Sequence, residues 1–257
     1  MAEAGLRLDL GEEVATITLD RPERLNAQTP RMWLLLAEIG RALVGTVRVV
    51  VVRGSGRAFS AGLDRAYLTG AVGPGAVGPG ELARMPAERA EAVIESYQRG
   101  FGWLRRTDLV SIAAVQGHAI GAGFQLALAC DLRILADDAR LQMAEGSLGL
   151  VPDLGGTKPL VDTVGYARAL EICLSGRRVE AAEAERIGLA NLVVPAAELA
   201  AATSDLVATV LAAPRGAVAE IKALLAGAGG RSRSEQEAAE RAAQRRRLAD
   251  LAGLAED

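Results

Sequence analysis

The stretch Gly117–Asp131, GHAIGAGFQLALACD, decides how the rest of this 257-residue chain is read. It follows an apolar run, Ser111–Gln116 (SIAAVQ), with the character of a short buried strand. It then turns on Gly117, Gly121 and Gly123 and enters a helix of small residues over Phe124–Cys130. Glycines at such a turn let a bound group approach the backbone closely. A helix N-terminus adds unpaired N–H donors and the positive end of a dipole. Together they suit a ligand oxygen that carries, or acquires, negative charge.

Outward from this segment the chain alternates strand-like and helix-like stretches. Val14–Leu19 and Val47–Arg53 (VRVVVVR) read as strands, the second buried on both faces. Between them Pro30–Leu43 carries Met32, Leu35, Leu36 and Ile39 at helical spacing, and Leu132–Leu135 reads as a further strand. Such alternation implies crossover units and a largely parallel sheet, an α/β class. Ala71–Gly80 is the pentapeptide AVGPG written twice, and its Gly and Pro content predicts a mobile loop rather than a regular element. Both a lid over a pocket and a tolerated surface insertion fit it. From Ala196 the composition turns to Ala, Glu and Arg, predicting helices over Ala197–Ala212, Arg215–Leu225 and Ser234–Leu251. Arg245–Arg247 reads as a solvated helix face or a subunit contact.

Half of the residues are hydrophobic but only 3% are aromatic, so Ala, Val and Leu must build the core. A net charge of -3 and a pI near 5.5 give no electrostatic reason to expect nucleic acid or an anionic membrane as partner. Cys130 and Cys173 sit in apolar helical contexts and read as buried free thiols, in keeping with a reducing cytoplasm. The N-terminal MAEAGLRLDLGEEV is acidic and lacks the basic and apolar regions of a signal peptide. Ser111–Cys130 has no Asp, Glu, Lys or Arg and is long enough to span a bilayer. Its Gln116, His118, Gln125 and glycines, and its change from strand-like to helix-like pattern, favour a protein core instead.

Several familiar chemistries lack their residues. The G-x-G-x-x-G spacing occurs only inside the Gly/Pro repeat, at Gly73–Gly78, and none of the glycine turns after a strand carries it; Gly149–Gly156 misses the phosphate-loop spacing and has Thr157 where Lys should stand. G-x-S-x-G is absent too. The single histidine, His118, cannot build a metal cluster alone, so no metal site is expected.

What remains is a pair of glycine-containing turns after buried strands, Gly56–Asp64 (GRAFSAGLD) and Gly117–Gly123. In a parallel sheet, loops at the carboxyl ends of neighbouring strands converge on one crevice. One backbone N–H from each could grip a single oxygen. A third segment, Ala144–Thr157 (AEGSLGLVPDLGGT), contributes Glu145 and Asp153, with Pro152 and Gly155–Gly156 interrupting any single helix. An oxyanion hole with one or two carboxylates is a minimal apparatus for moving protons beside a carbonyl. A helix cap for Glu145 and a turn role for Asp153 are the competing readings of the same residues.

FSAGLD, GHAIGAGFQLALACD and EGSLGLVPDLGGT, in that order, resemble the crotonase (enoyl-CoA hydratase/isomerase) superfamily. So do RPERLNA (Arg21–Ala27) and Val164–Gly176 with Ala181–Val194, and the similarity covers roughly residues 10–230. The resemblance implies a crotonase-like ββα spiral core over residues 1–195. It also implies a helical C-terminal trimerisation region over 196–257, and a homo-oligomer, either a trimer or a dimer of trimers. It implies an acyl-CoA thioester substrate, with coenzyme A entering only as part of it and no further cofactor. By position the oxyanion-hole amides would be those of Leu63 and Ala122. Arg24, Leu25, Ala27, Ala61 and Asp64 would lie along CoA. Glu145 and Asp153 would be catalytic, and Gln125 would orient water or substrate.

Departures from the family pattern steer the expected reaction. Family hydratases use two glutamates to activate water; Glu145 matches the second, and neutral Gln125 stands in place of the first. Asp153 stands where some isomerases of the superfamily have a catalytic Asp, and SLGLVPDLGGT resembles the phenylacetate-pathway type. Double-bond isomerisation of an unsaturated acyl-CoA is therefore expected. Hydration of a 2-enoyl-CoA, other superfamily reactions and a non-catalytic acyl-CoA-binding protein are the alternatives. The family's closing Lys/Arg-rich tail is missing from LADLAGLAED, and the acyl pocket is expected within Tyr67–Tyr97.

Overall fold

A computed structural model describes residues 4–43, 45–70 and 76–253. The chain starts with β1 (Leu6–Leu10) antiparallel to β2 (Val14–Leu19), and α1 (Pro30–Ala42) crosses to β3 (Val49–Gly54), parallel to β2. Short helices α2 (Arg65–Leu68) and α3 (Pro79–Leu82) and the long α4 (Ala87–Gly102) precede β4 (Val110–Val115). There follow β5 (His118–Ile120), α5 (Ala122–Ala129), β6 (Leu132–Ala136) and β7 (Arg140–Gln142). Next come α6 (Thr157–Val164), α7 (Tyr166–Ser175), β8 (Arg178–Glu180), α8 (Ala181–Arg186) and β9 (Leu192–Val194). Helices α9 (Leu199–Ala212), α10 (Arg215–Ala228) and α11 (Arg233–Leu251) complete the described chain.

The strands form a six-stranded sheet, β1-β2-β3-β4-β6-β9, parallel except at the β1–β2 edge, and a three-stranded sheet, β5-β7-β8. Two successive turns, β4–β5–α5 and β6–β7–α6, run through a strand of the first sheet, a short strand of the second, and a helix. This is the ββα spiral. Strand periodicity divides the apolar residues between two cores. Val50, Val52, Ala113 and Val115 face α1, α4 and α5, while Val49, Val51, Ile112 and Ala114 face α9. Burial on both faces accounts for the unbroken valine run of β3.

One expectation holds and three need adjustment. The membrane-length stretch Ser111–Cys130 is β4, β5 and α5, three elements folded into the core. Helix α5 begins at Ala122, so Gly123 lies inside it rather than at the turn; a Cβ there would stand 2.7 Å from Ser60 O. Of the repeated AVGPG, residues 71–75 lie outside the described residues, and Pro79 and Gly80 open α3, proline being favoured in a first helical turn. Helix α11 starts one residue early because Ser232 and Glu235 form a capping box. Among the described residues no single helix is long and apolar enough to cross a membrane, and the α9–α10 pair bends by 102°.

Candidate active site

The first wall of the site is built by two loops that pair like strands. Ala61 N donates to Leu25 O, Gln28 N to Gly62 O and Asp64 N to Gln28 O. Leu25 and Asn26 hold positive φ angles of 50° and 56°, a costly conformation for residues with a Cβ. Side chains secure it: the Asn26 amide donates to Ser55 O and Ala58 O, each at 2.8 Å, and its oxygen accepts from Arg21 N. Buried Ser60 donates to Asn26 O, and Gln28 joins Ser60 to the Trp33 indole. The expected CoA-contact residues Leu25, Ala27, Ala61 and Asp64 thus lie side by side. Asp64 itself is occupied, accepting from Ala66 N and from Arg21 at 2.9 Å. Burial works against its charge, yet these donors keep its carboxyl below the usual range. Arg24 is exposed on the same loop, its guanidinium free of hydrogen bonds among the described residues.

The second wall is the N-terminus of α5. Gly121, at φ 51° and ψ -117°, turns the chain out of β5, and its own N–H bonds Gln142 O. The Ala122 amide then precedes the first rung of the helix, Gln125 N to Gly121 O, and has no acceptor among the described residues. Leu63 is comparable. Its parallel bridge to Gln28 uses Gly62 O and Asp64 N, which directs the Leu63 N–H to the opposite side, where it is unpaired among the described residues. The two loops touch: a Cβ on Gly62 would stand 2.4 Å from Ile120 O and 3.7 Å from Ala122 N. Glycine is required there, both for space and for φ +85°.

The acids come from the segment between β7 and α6. Glu145 opens a 3-10 turn, Glu145–Leu148, and is buried beside Gly121, where a Cβ would stand 3.2 Å from its Oε1. Its Oε1 accepts from Gln125 Nε2 at 2.7 Å, and its Oε2 is buried without a partner. Burial raises the Glu145 carboxyl, the Gln125 bond opposes this, and the Asp153 charge adds to the rise. Asp153 reaches solvent at the mouth of the cleft, but surrounding protein still desolvates it enough to push its carboxyl up as well. Gln125 connects the acid-bearing segments, because its oxygen accepts from Leu154 N at 2.9 Å and Gly156 N at 3.2 Å. That oxygen is therefore committed to the protein. Any water would have to meet the amide's remaining N–H.

One neighbour, Gln98, escapes sequence reading, and two more, Tyr67 and Tyr97, are named there only as the bounds of the expected acyl pocket. Gln98, on α4, donates to Asp153 O at 2.7 Å. Tyr67 and Tyr97 grip residue 77 from both sides, Tyr67 donating to Val77 O and Val77 N donating to the Tyr97 oxygen. Burial, with Tyr97 and Asp153 nearby, pushes the Tyr67 hydroxyl up to about 12. These contacts join residues 55 and 10 to 20 positions apart, and only the tyrosines fell within a region singled out by sequence. Among the described residues no group of three or more His, Cys, Asp or Glu is placed to hold a metal ion.

Comparison with known proteins gives the same frame. Residues 9–251 match the enoyl-CoA hydratase/isomerase family. A protein of Mycobacterium tuberculosis assigned as an enoyl-CoA hydratase is 34% identical over 190 residues, 73% of this chain and 68% of its own. One of Rhodobacter capsulatus with the same assignment is 38% identical over 191 residues, covering 74% and 68%. A crystal structure from Thermobifida fusca, assigned likewise, superposes with a TM-score of 0.94 at 53% identity over 98% of this chain and 95% of its own. The same protein in complex with acetoacetyl-CoA gives 0.93 at 53% identity, covering 97% and 96%. With the family match spanning both walls of the cleft and the acid segment, the chain belongs to the enoyl-CoA hydratase/isomerase family and has the crotonase fold of an acyl-CoA-processing enzyme.

Proposed function

We propose that this enzyme isomerises the double bond of an unsaturated acyl-CoA thioester. The thioester oxygen would sit between the Leu63 and Ala122 amides, whose N–H groups have no acceptor among the described residues. A thioester so held loses a C2 proton more easily, because the developing dienolate oxygen meets two fixed donors; one such donor is worth about 3 kcal/mol of barrier. Asp153 as carboxylate takes the proton from C2 and returns it to C4, so that no water and no net proton are consumed. Burial holds both acids above their ordinary range, which makes each a stronger base and a competent donor after protonation.

One observation carries the choice: Gln125. An amide cannot accept a proton from water, and its oxygen is committed to Leu154 N and Gly156 N. Hydration is the second reading, favoured by the hydratase assignments of the relatives. CoA would run along the paired loops, with exposed Arg24 at its phosphates; that the Thermobifida fusca protein forms complexes with acetoacetyl-CoA and with CoA supports a CoA thioester as the ligand. A self-assembled oligomer, with residues 196–257 contributing, and a cytoplasmic setting belong to the same proposal. Two unpaired thiols, Cys130 and Cys173, agree with a reducing compartment.

The test uses 3-enoyl and 2-enoyl thioesters with product analysis. Asp153→Asn is expected to lose at least about 100-fold in isomerase turnover while binding CoA as the wild type does. Water addition as the wild-type reaction, or full isomerase activity in the variant, would overturn the assignment.

A further inference from the structure

The face of the six-stranded sheet turned away from the active site is incompletely covered. Helix α9 lies over β3, β4 and β6, and a cavity of about 710 Å³ opens beside it. That volume falls within the range of roughly 300–1,000 Å³ typical of small-molecule sites. Its walls are mainly apolar: Val14, Val51 and Ala114 from the sheet face Leu199, Val207 and Leu211 from α9, with Thr16, Gln116, Thr203 and Ser204 among them. The alternation of β3 puts Val50 and Val52 in the central core and Val51 and Arg53 in this cavity, so the sheet itself separates it from the acid-bearing cleft. One end is cationic. Arg53 spends only its Nε, on Thr18 Oγ1 at 3.1 Å, and the Arg57 guanidinium has no partner among the described residues. The one acid in the lining, Asp138, accepts from Gly117 N, which leaves the rim with two cations against one anion.

A largely apolar trough with two guanidinium groups at its rim, each keeping N–H groups without a partner among the described residues, matches one chemistry well. We propose that this cavity binds a single-chain amphiphilic carboxylate of the fatty-acid class. The chain lies between the sheet and α9, and the head group lies on Arg53 and Arg57. Guanidinium forks suit a carboxylate geometrically, and the small residues Ala200 and Ala208 leave space for an alkyl chain. The site is independent of the reaction assigned to the cleft.

Titration calorimetry of the full chain with dodecanoate, in the presence of saturating CoA, tests this. One saturable site per chain is expected. Arg53→Gln/Arg57→Gln is expected to weaken it at least tenfold, and the neutral dodecanol to bind more weakly by a similar factor. Ser204→Trp, which fills the trough from α9, should abolish binding while acyl-CoA turnover stays at the wild-type level. The arginine variants act on the sheet side and Ser204→Trp on the helix side of the cavity, so failure of one to fold leaves the other to decide. Absence of saturable binding, competition with CoA, or equal binding by wild type and variants would overturn the proposal. So would a trough variant that changes only the mass of the assembly, since a second copy would then be the occupant.

Discussion

Glu145 is held by a single side-chain bond and keeps one oxygen buried and unpaired, an arrangement that disfavours its charge in the folded protein. An acid whose folded pKa is raised binds its proton more tightly when native. Its stabilising contribution is therefore present below the unfolded value of 4.5 and is lost as pH rises through the folded one. Glu145→Gln removes that ionisation and keeps an oxygen for the Gln125 amide. The variant should melt above the wild type at pH 8, and the two should converge near pH 4. A gap independent of pH would show that Glu145 is not the cause. Arg24 makes a separate prediction, because it is exposed, and without a hydrogen-bond partner among the described residues, on the loop expected to meet the nucleotide. Arg24→Ala should raise KM for a CoA thioester several-fold at constant kcat and leave the matching pantetheine thioester unaffected. At this scale residue identities were readable as candidates, but their partners were not. Nothing local joins Gln98 to Asp153 or ties Gln125 to both acid segments; those bonds exist only once α4, α5 and the 145–156 segment meet.

Helix α5 turns backbone geometry into chemistry, and its fit against the Ser60 loop sets the distance between the two amides. A methyl group at Gly123 would press on Ser60 O at 2.7 Å and on Ser60 Cβ at 2.8 Å, and neither is a flexible chain end. Gly123→Ala should therefore displace the helix N-terminus from Leu63. We expect kcat/KM to fall by about 100-fold, the magnitude of losing one oxyanion donor, with CoA affinity less affected. Normal turnover would mean that the loop yields without moving the amides. Some longer elements were legible from sequence because their apolar patterns repeat: β2 matches its expected span, and α1 ends within one residue of it, whereas β1, α4, α6, α7 and α8 were not named as elements. The three-residue strands β5, β7, β8 and β9 were not foreseen as strands. A strand that short has no period to read, and neighbouring strands define it. The same limit placed Gly123 at the turn, since a glycine in a tight helix–loop contact and one in a bend look alike in sequence.

Across the whole molecule, the most conspicuous unsatisfied surface adjoins the acids. Tyr166, Leu170 and Leu174 recur every four residues along α7 and are all exposed, forming one apolar stripe. Leu148, Leu150 and Val151, from the segment between Glu145 and Asp153, are exposed too, and α7 packs against the turn that starts this segment. A contiguous patch of this kind is unfavourable in water and marks an interaction surface. A second copy of the chain is the natural cover, because the expected oligomer must bury something and this face is apolar. Its position implies that assembly would shield the acids further and raise their carboxyls beyond what each chain's own burial does. Leu170→Glu/Leu174→Glu puts two charges on the stripe without touching the core, so the monomer should remain folded. Light scattering should then find a smaller assembly than for the wild type, and the activity profile should shift to lower pH as Asp153 regains solvent. Wild-type mass in that variant would place the subunit contact elsewhere. Reduced mass with an unchanged pH profile would mean that each chain desolvates its own acids.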